Sequence, residues 1–411
     1  VTLPLHDVRV IEVDNWMAAP SAGAIFADLG ADVVKVEPLS GDPMRDMGRR
    51  PKVDDERVRG HDLQFDVDNR GKRSIAVALD TPEGAELVQR LCRDADVFLC
   101  NLLPHRQERF GLDPARLLGA NPRIVHATLT GYGSGGPDSW RPGYDVTAFF
   151  GRSGLYDAMR EGDDGLVPQA RPAQGDHTTG LALVGAILAA LRLAERTGEG
   201  QVVETSLYET AVWTQASDYA IAAVDRAPLR RRTRHEQILI SANRFPCGDG
   251  HWITLNNMDP ADFGRMCAAM GMEHLLVDDR FTTQKDRFEN MRELVGLFDE
   301  RFVQRGRDEW GAIFDDHRLV WAPILEVHEV ASDEQADAID LFPTIEHDDV
   351  GPYRTVRIPM RFGGDAIVPR SPAPRLAEHT RAILHELGVE DLEVDRLLDA
   401  GVIGAGDVSS G

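Results

Sequence analysis

The feature that most limits what this chain can fold into is an alternation at its N-terminal end. The run "VRVIEVD" (8–14) reads as a buried strand, "AGAIFADLGA" (22–31) as a helix with Gly30 as its C-cap, and "DVVKVE" (32–37) as a second strand. Strand, helix and strand at this spacing predict a βαβ unit and a parallel, doubly wound sheet. The pattern goes on. "RSIAVAL" (73–79) reads as a strand, and "TPEGAELVQRLCRDA" (81–95) as a helix with Pro82 in its first turn. "DVFLCN" (96–101) is a strand, and others lie within 122–133 and 201–211. The turn after the first strand is Asn15-Trp-Met-Ala-Ala-Pro20, where a dinucleotide fold places its glycines. GxGxxG and the Walker loop are both missing. The sheet therefore resembles a nucleotide-binding one without its usual phosphate loop, which argues against a nicotinamide dehydrogenase.

A chain of 411 residues is too long for one simple core and implies two domains. The texture changes at about residue 225. "RAPLRRRTRH" (226–235) is a basic connector, either solvated or in contact with phosphate. "RFPCGDGHWITL" (244–255) reads as a hairpin turning at Gly248–Gly250, followed by helices at 260–271, 286–304 and 307–315 and a strand in 320–327. These make a small α+β domain over 225–330, between a large domain at 1–224 and a C-terminal segment at 331–411. That segment holds a strand region at 354–362 and helices at 376–387 and 389–399.

Charge excludes some classes of partner. Lys plus Arg number 45 against 68 Asp plus Glu, a net charge of −23, which argues against nucleic acid and anionic membranes. An anionic small molecule needs only a local basic pocket. The cysteines Cys92, Cys100, Cys247 and Cys267 form no CxxC pair, so no metal site and no disulfide framework is expected. No signal peptide is read in the opening "VTLPLHDVRVIEVD", and the longest apolar stretch, Leu181–Leu191, falls short of a membrane span. A cytoplasmic protein is expected.

The segment "QGDHTTG" (174–180) places a carboxylate, Asp176, at the mouth of a long apolar helix. Two readings stand. Asp176 caps the helix by accepting an N–H of the first turn. Alternatively, the helix N-terminus holds it ionised and aimed into a cleft, where it attacks an acyl carbon.

Seven blocks carry a resemblance, among them "DLGADVVKVEPLSGDPMR" (28–45), "NRGKRSIAVALDTPEG" (69–84), "ADVFLCNLLPHRQERFGL" (95–112), "NPRIVHATLTGYGSGGP" (121–137) and "GDHTTGLALVGAILAALRLAERTGEGQVV" (175–203). With "RPGYDVTAFFGRSGL" (141–155) and "SPAPRLAEHTRAIL" (371–384) they run nearly end to end. In this order they resemble the family III CoA-transferases, whose racemase branch acts on α-methylacyl-CoA. The resemblance implies an interlocked homodimer, a large domain completed by the returning C-terminus, and acyl-CoA in the cleft as a substrate. It implies no permanently bound cofactor. The second substrate it implies is a carboxylic acid.

Asp176 falls at the position of the family's catalytic aspartate. There it attacks the thioester to give a mixed anhydride and CoA thiolate, with helix-start N–H groups stabilising the oxyanions and water kept out. Trp16, Met17 and Ala18 match the first βα turn, along which CoA lies. Val77 matches a position near the adenine. Asn101, Leu102, His105 and Arg109 match a segment lining the CoA path, and Tyr132 a loop whose glycines let backbone approach a ligand. Lys72 and Arg73 supply positive charge for phosphates or form a solvated pair. Trp16, Met17, Phe149 and Phe150 line an acyl pocket or belong to the core.

The racemases carry a histidine in a Gly-His-Asp motif, and here it reads Gly143-Tyr144-Asp145. Tyrosine, with an ordinary pKa of about 10, is poorly matched to proton exchange at neutral pH. Asp145 stands where transferases often carry an acid, which assigns it acyl positioning. His177 is read as a helix cap or a solvated side chain. CoA transfer is therefore favoured over racemisation and over a non-catalytic acyl-CoA-binding paralogue. The stretch "NNMDPADF" (256–263) replaces the glycine-rich loop that closes the site in some transferases, and its Asp259-Pro260 is similar to a Glu-Pro pair of racemases.

Overall fold

The computed structural model describes residues 3–47, 51–259, 261–348 and 350–406; Pro260 lies outside them. The chain divides into two compact units, one of Val1–Leu155, Gln169–Val224 and Ala338–Gly411, the other of Tyr156–Pro168 and Asp225–Asp337.

The first unit is built on six strands, β1 (Arg9–Val13), β2 (Asp32–Glu37), β3 (Arg73–Ala76), β4 (Val97–Cys100), β5 (Val125–Thr130) and β6 (Val202–Ser206). All neighbouring strands pair in parallel, in the order β3-β2-β1-β4-β5-β6. This is the doubly wound arrangement expected from the sequence, with the reversal of strand order between β1 and β4. Ile11 lies between Val34 and Phe98 in register, and all three are fully buried. Burial of β1, β2 and β4 explains why they read as mostly apolar runs.

The flanking helices include α1 (Ala18–Asp28), α2 (Leu63–Asn69), α3 (Pro82–Leu91), α4 (Pro104–Phe110), α5 (Pro114–Ala120), α6 (Gln174–Thr197) and α7 (Leu207–Thr214). Helix α1 starts earlier than its apolar pattern suggested. Leu29 is its C-cap, and Gly30, at φ +110°, is the first residue beyond. Helix α3 opens with Pro82 in its first turn and the Thr81 hydroxyl accepting the Gly84 N–H at 3.1 Å.

By length and composition alone α6 is long and apolar enough to cross a membrane, a test that core helices also pass. Here it packs against α1, β5 and β6. Gly180 makes that approach possible, because a Cβ there would stand 2.2 Å from Ser21 Oγ.

The C-terminal part returns to the β3 side of the sheet. Ile383, Leu384, Val394 and Leu397 join the same buried cluster as Ile11 and Phe98. The His379 N–H donates to the Ser74 carbonyl at 2.9 Å. The strand region expected at 354–362 is instead two separate two-residue strands, Tyr353–Arg354 and Arg361–Phe362. Pro359 lacks the N–H a ladder needs, and Arg357 between them donates to the carbonyls of Asp340, Ile339 and Ile358.

The second unit has a three-stranded antiparallel sheet of Arg244–Pro246, Trp252–Leu255 and Trp321–Ile324. Its core is aromatic, with Phe245 stacked on Phe302 at 4.5 Å between ring centroids. The helix expected over 286–304 is broken at Asn290 into Gln284–Glu289 and Met291–Phe302. The Asn290 amide turns back to the Asp286 carbonyl and closes the first helix. In the basic connector, Arg231 pairs with Asp157 and Asp163, and Arg234 with Asp299. Those two arginines are committed to acids of their own unit, so at these positions the connector is neither freely solvated nor open to phosphate, which corrects both readings of it.

Candidate active site

A cavity of about 770 Å³ opens at the carboxyl ends of β1, β4, β5 and β6. Asn15 follows β1 and Asn101 follows β4, so its floor is the switch point of the sheet, where open α/β sheets bind ligands. Asn101 ties the two loops together. Its Nδ2 donates to the Asn15 carbonyl at 2.7 Å, and its Oδ1 accepts the Asn15 N–H at 3.3 Å.

Of the residues singled out by sequence, Trp16, Met17, Ala18, Asn101, Leu102, Tyr144, Asp145 and Asp176 line this one cavity. Trp16 has φ +72°. A bulky residue in that region costs about 1–3 kcal/mol and persists only where its surroundings impose it. Two contacts do so: its N–H donates to Asp42 Oδ1 at 3.2 Å, and its ring meets Tyr144 edge-on at 5.5 Å.

Asp145 opens a π-helical segment, Asp145–Arg152, a geometry frequent at functional sites. One of its oxygens accepts the Gly175 N–H at 3.2 Å. The other is buried without a hydrogen bond among the described residues. Gly175 is required for this approach, since a Cβ would stand 2.3 Å from both Asp145 Oδ1 and the Phe149 ring.

Asp176 is not the helix cap. Ala173, at φ +83°, holds that position, and Asp176 is the third residue of α6. Among the described residues its carboxylate has no hydrogen bond or ion pair. The expectation that the helix start keeps it readily ionised is corrected. Burial, and then the like charges of Asp145 and Asp68, push its pKa up to about 7, against a smaller opposing pull from His177. Burial also raises Asp145. His177, expected as a cap or a solvated side chain, instead contacts Asp68 Oδ1 through Nε2 at 2.8 Å. Burial would lower its pKa, but its bond to Asp68 and the surrounding carboxylates raise it overall.

The structure moves other expected residues away from the cavity lining. Lys72 is buried, with Nζ donating to Glu12 at 2.6 Å, to the Pro20 carbonyl and to Asn69, so it cannot meet a phosphate. Arg73 is held by Asp32 and Glu386. Val77 is fully buried and bridged to Ile403. His105 is exposed on α4, while Arg109 leans over the Phe110 ring and Tyr132 lies under Arg141. Phe149 and Phe150 are core, not pocket wall.

Several lining residues escaped the sequence reading, notably Arg106, Arg171, Gln64 and Met44. So did a buried charge network beneath the Trp16 turn. Lys35 meets Asp14 at 3.1 Å and Asp42 at 3.2 Å, and Arg45 grips Glu37 with two bonds of 2.7 Å. Its signal was present as charges inside apolar strands, in "VIEVD" and "VVKVE". One group of potential metal donors stands among the described residues, His61, Asp66 and His347, whose ligand atoms lie within 4.8 Å of one another. These positions share no sequence spacing. Asp66 is already satisfied by the Tyr353 hydroxyl, His61 and the Ala373 N–H.

Fold and site together define a doubly wound α/β protein with two carboxyls of raised pKa in a cavity at its switch point. The sequence places it further: the model of CoA-transferase family III matches residues 5–380, and the chain belongs to that family. It is an enzyme acting on an acyl-CoA and a carboxylate. It is 30% identical over 405 residues to an (R)-2-hydroxy-4-methylpentanoate CoA-transferase of Clostridioides difficile, covering 97% of this chain and 99% of that one. A succinate–glutarate CoA-transferase of Agrobacterium fabrum is 34% identical over 391 residues, covering 93% and 96%. A crystal structure of a CAIB/BAIF family protein from Brucella suis superposes with TM-score 0.82 at 31% identity, covering 94% of this chain and all of that one.

Proposed function

We propose that the enzyme moves CoA between acids through covalent intermediates on Asp176. The observation that carries this reading is the Asp176 carboxyl itself, which lines the cavity with no bond among the described residues and a pKa pushed up to about 7. A desolvated carboxylate that is not hydrogen-bonded is a stronger nucleophile than a capping one. Its oxygen attacks the thioester carbon, the C–S bond breaks, and a mixed anhydride and CoA thiolate result. The thiolate then attacks the Asp176 carbonyl, releasing the donor acid and leaving an aspartyl thioester. An acceptor carboxylate attacks that thioester, and the steps run in reverse to return Asp176.

CoA enters over the switch point, past Asn101 and Leu102, with Arg106 rather than Lys72 or Arg73 on its phosphates. His105 and Arg109 flank the same path from α4. Tyr144 closes the wall against Trp16, and Asp145 positions the acyl group. A homodimer belongs to the same reading. It is supported by exposed apolar side chains such as Trp213 and Ile221, 78% and 60% accessible in the single chain.

A second reading draws on the carboxyl pair. Two acids of raised pKa facing one cavity could exchange a proton at the α-carbon. Incubation in heavy water with acyl-CoA esters, including a 2-methylacyl-CoA, and free acids separates the two. New thioesters, absent with Asp176→Ala, are expected. Deuterium at the α-carbon without new thioesters would mean racemisation. Full activity in Asp176→Asn would leave Asp176 a structural residue.

A further inference from the structure

The cavity holds two cations, Arg106 and Arg171, and they sit on different walls. Arg106 belongs to α4, after β4. Arg171 lies on the segment that leads into α6, five positions before Asp176. In a chain with 45 basic and 68 acidic residues, an arginine readily finds an acid. In the same unit Arg45, Arg70, Arg73 and Arg152 have each done so. Arg171 has no ion pair among the described residues. Arg171 and Asp176 line the same cavity, and no ion pair or hydrogen bond joins them among the described residues.

The backbone around Arg171 is constrained. Pro172 restricts it to an extended conformation, and Ala173 beyond is fixed at φ +83°. The pantetheine arm separates the phosphates of CoA from its thioester. With the thioester carbon at Asp176, the phosphates lie a pantetheine arm's length away, and a cavity-lining cation five positions from Asp176 is a candidate for the acyl end instead. Guanidinium is the side chain best shaped to take a carboxylate through two parallel bonds.

We propose that Arg171 receives the distal carboxylate of the acyl group, so that the enzyme selects dicarboxylic acyl chains. This rests on the reading of Asp176 as the exchanging carboxylate. Donor and acceptor then occupy the same space in turn, and Arg171 reads both.

The test is isotope exchange of a labelled acid into its own CoA ester, for matched C4 to C6 pairs such as succinate with succinyl-CoA and butyrate with butyryl-CoA. In the wild type, kcat/KM favours the dicarboxylic member. Arg171→Gln lowers dicarboxylic exchange roughly 10- to 100-fold, the range of a charged hydrogen-bonded contact, and leaves monocarboxylic exchange within about threefold. Arg171→Lys, which keeps the charge and loses the fork, recovers part of the rate. A fall of both members by the same factor overturns the proposal, as does a wild type that exchanges the monocarboxylic member equally well. Exchange with no pair, in wild type and Asp176→Ala alike, removes the transferase reading and this inference with it.

Discussion

Asp176→Asn keeps the shape of the side chain and removes its charge, so it isolates what the fold spends on holding a carboxylate there. The carboxyl titrates at about 7 instead of 3.8, burial being the larger cause and the charges of Asp145 and Asp68 the next. Roughly three tenfold steps in proton affinity, at about 1.4 kcal/mol each, set a ceiling of about 4 kcal/mol. The side chain is half-buried, and the water it still meets screens part of this, leaving about 2–3 kcal/mol. Between pH 4 and 7 the native state keeps a proton that the unfolded chain has released. Stability therefore falls as pH rises through this window and levels off above it. The Asp176→Asn protein carries no such cost. It should be more stable than the wild type by about 2–3 kcal/mol at pH 8.5 and by less than about 1 kcal/mol at pH 4.5. A chain of two units does not support one unfolding free energy, so the comparison is made as the shift in unfolding midpoint between the two proteins at each pH. In parallel, wild-type CoA transfer should rise with pH through about 7, because the attacking group is the anion. An equal midpoint shift at both pH values, or a rate profile centred near 4, would refute the argument.

Asp145→Asn removes a like charge from beside Asp176, and the midpoint of the pH–rate profile should move down by roughly half a pH unit to one; a profile that stays or moves up would show that the two carboxyls do not communicate. Lys72→Met takes the nearer cation from buried Glu12, leaving Lys35 at 3.5 Å, and should cost up to about 3–5 kcal/mol of stability, while the KM for acyl-CoA in the folded fraction stays unchanged. A raised KM at unchanged stability would put Lys72 on a phosphate after all.

The sequence by itself determined the scaffold. Strands buried in a parallel sheet are mostly apolar runs, and their alternation with helices at βαβ spacing leaves few topologies, so β1 through β6 were legible one after another. It also marked Asp176, Asp145, Tyr144 and the Trp16 turn, which stand in ordered motifs. The tertiary structure alone decided what each charge does. Lys72 and Arg73 adjoin in sequence as a plain basic pair, yet at the entry to β3 Lys72 turns inward to Glu12 and Arg73 pairs with Asp32 and Glu386. Taken alone, Asp176 reads as a cap, and it is the fold that gives the capping place to Ala173. The raised pKa of Asp176 needs Asp145 from another segment and Asp68 from α2, more than a hundred positions away, as the contact of His177 with Asp68 shows. Pairing and desolvation depend on distances through space, and a linear pattern records only which residue types are available to meet.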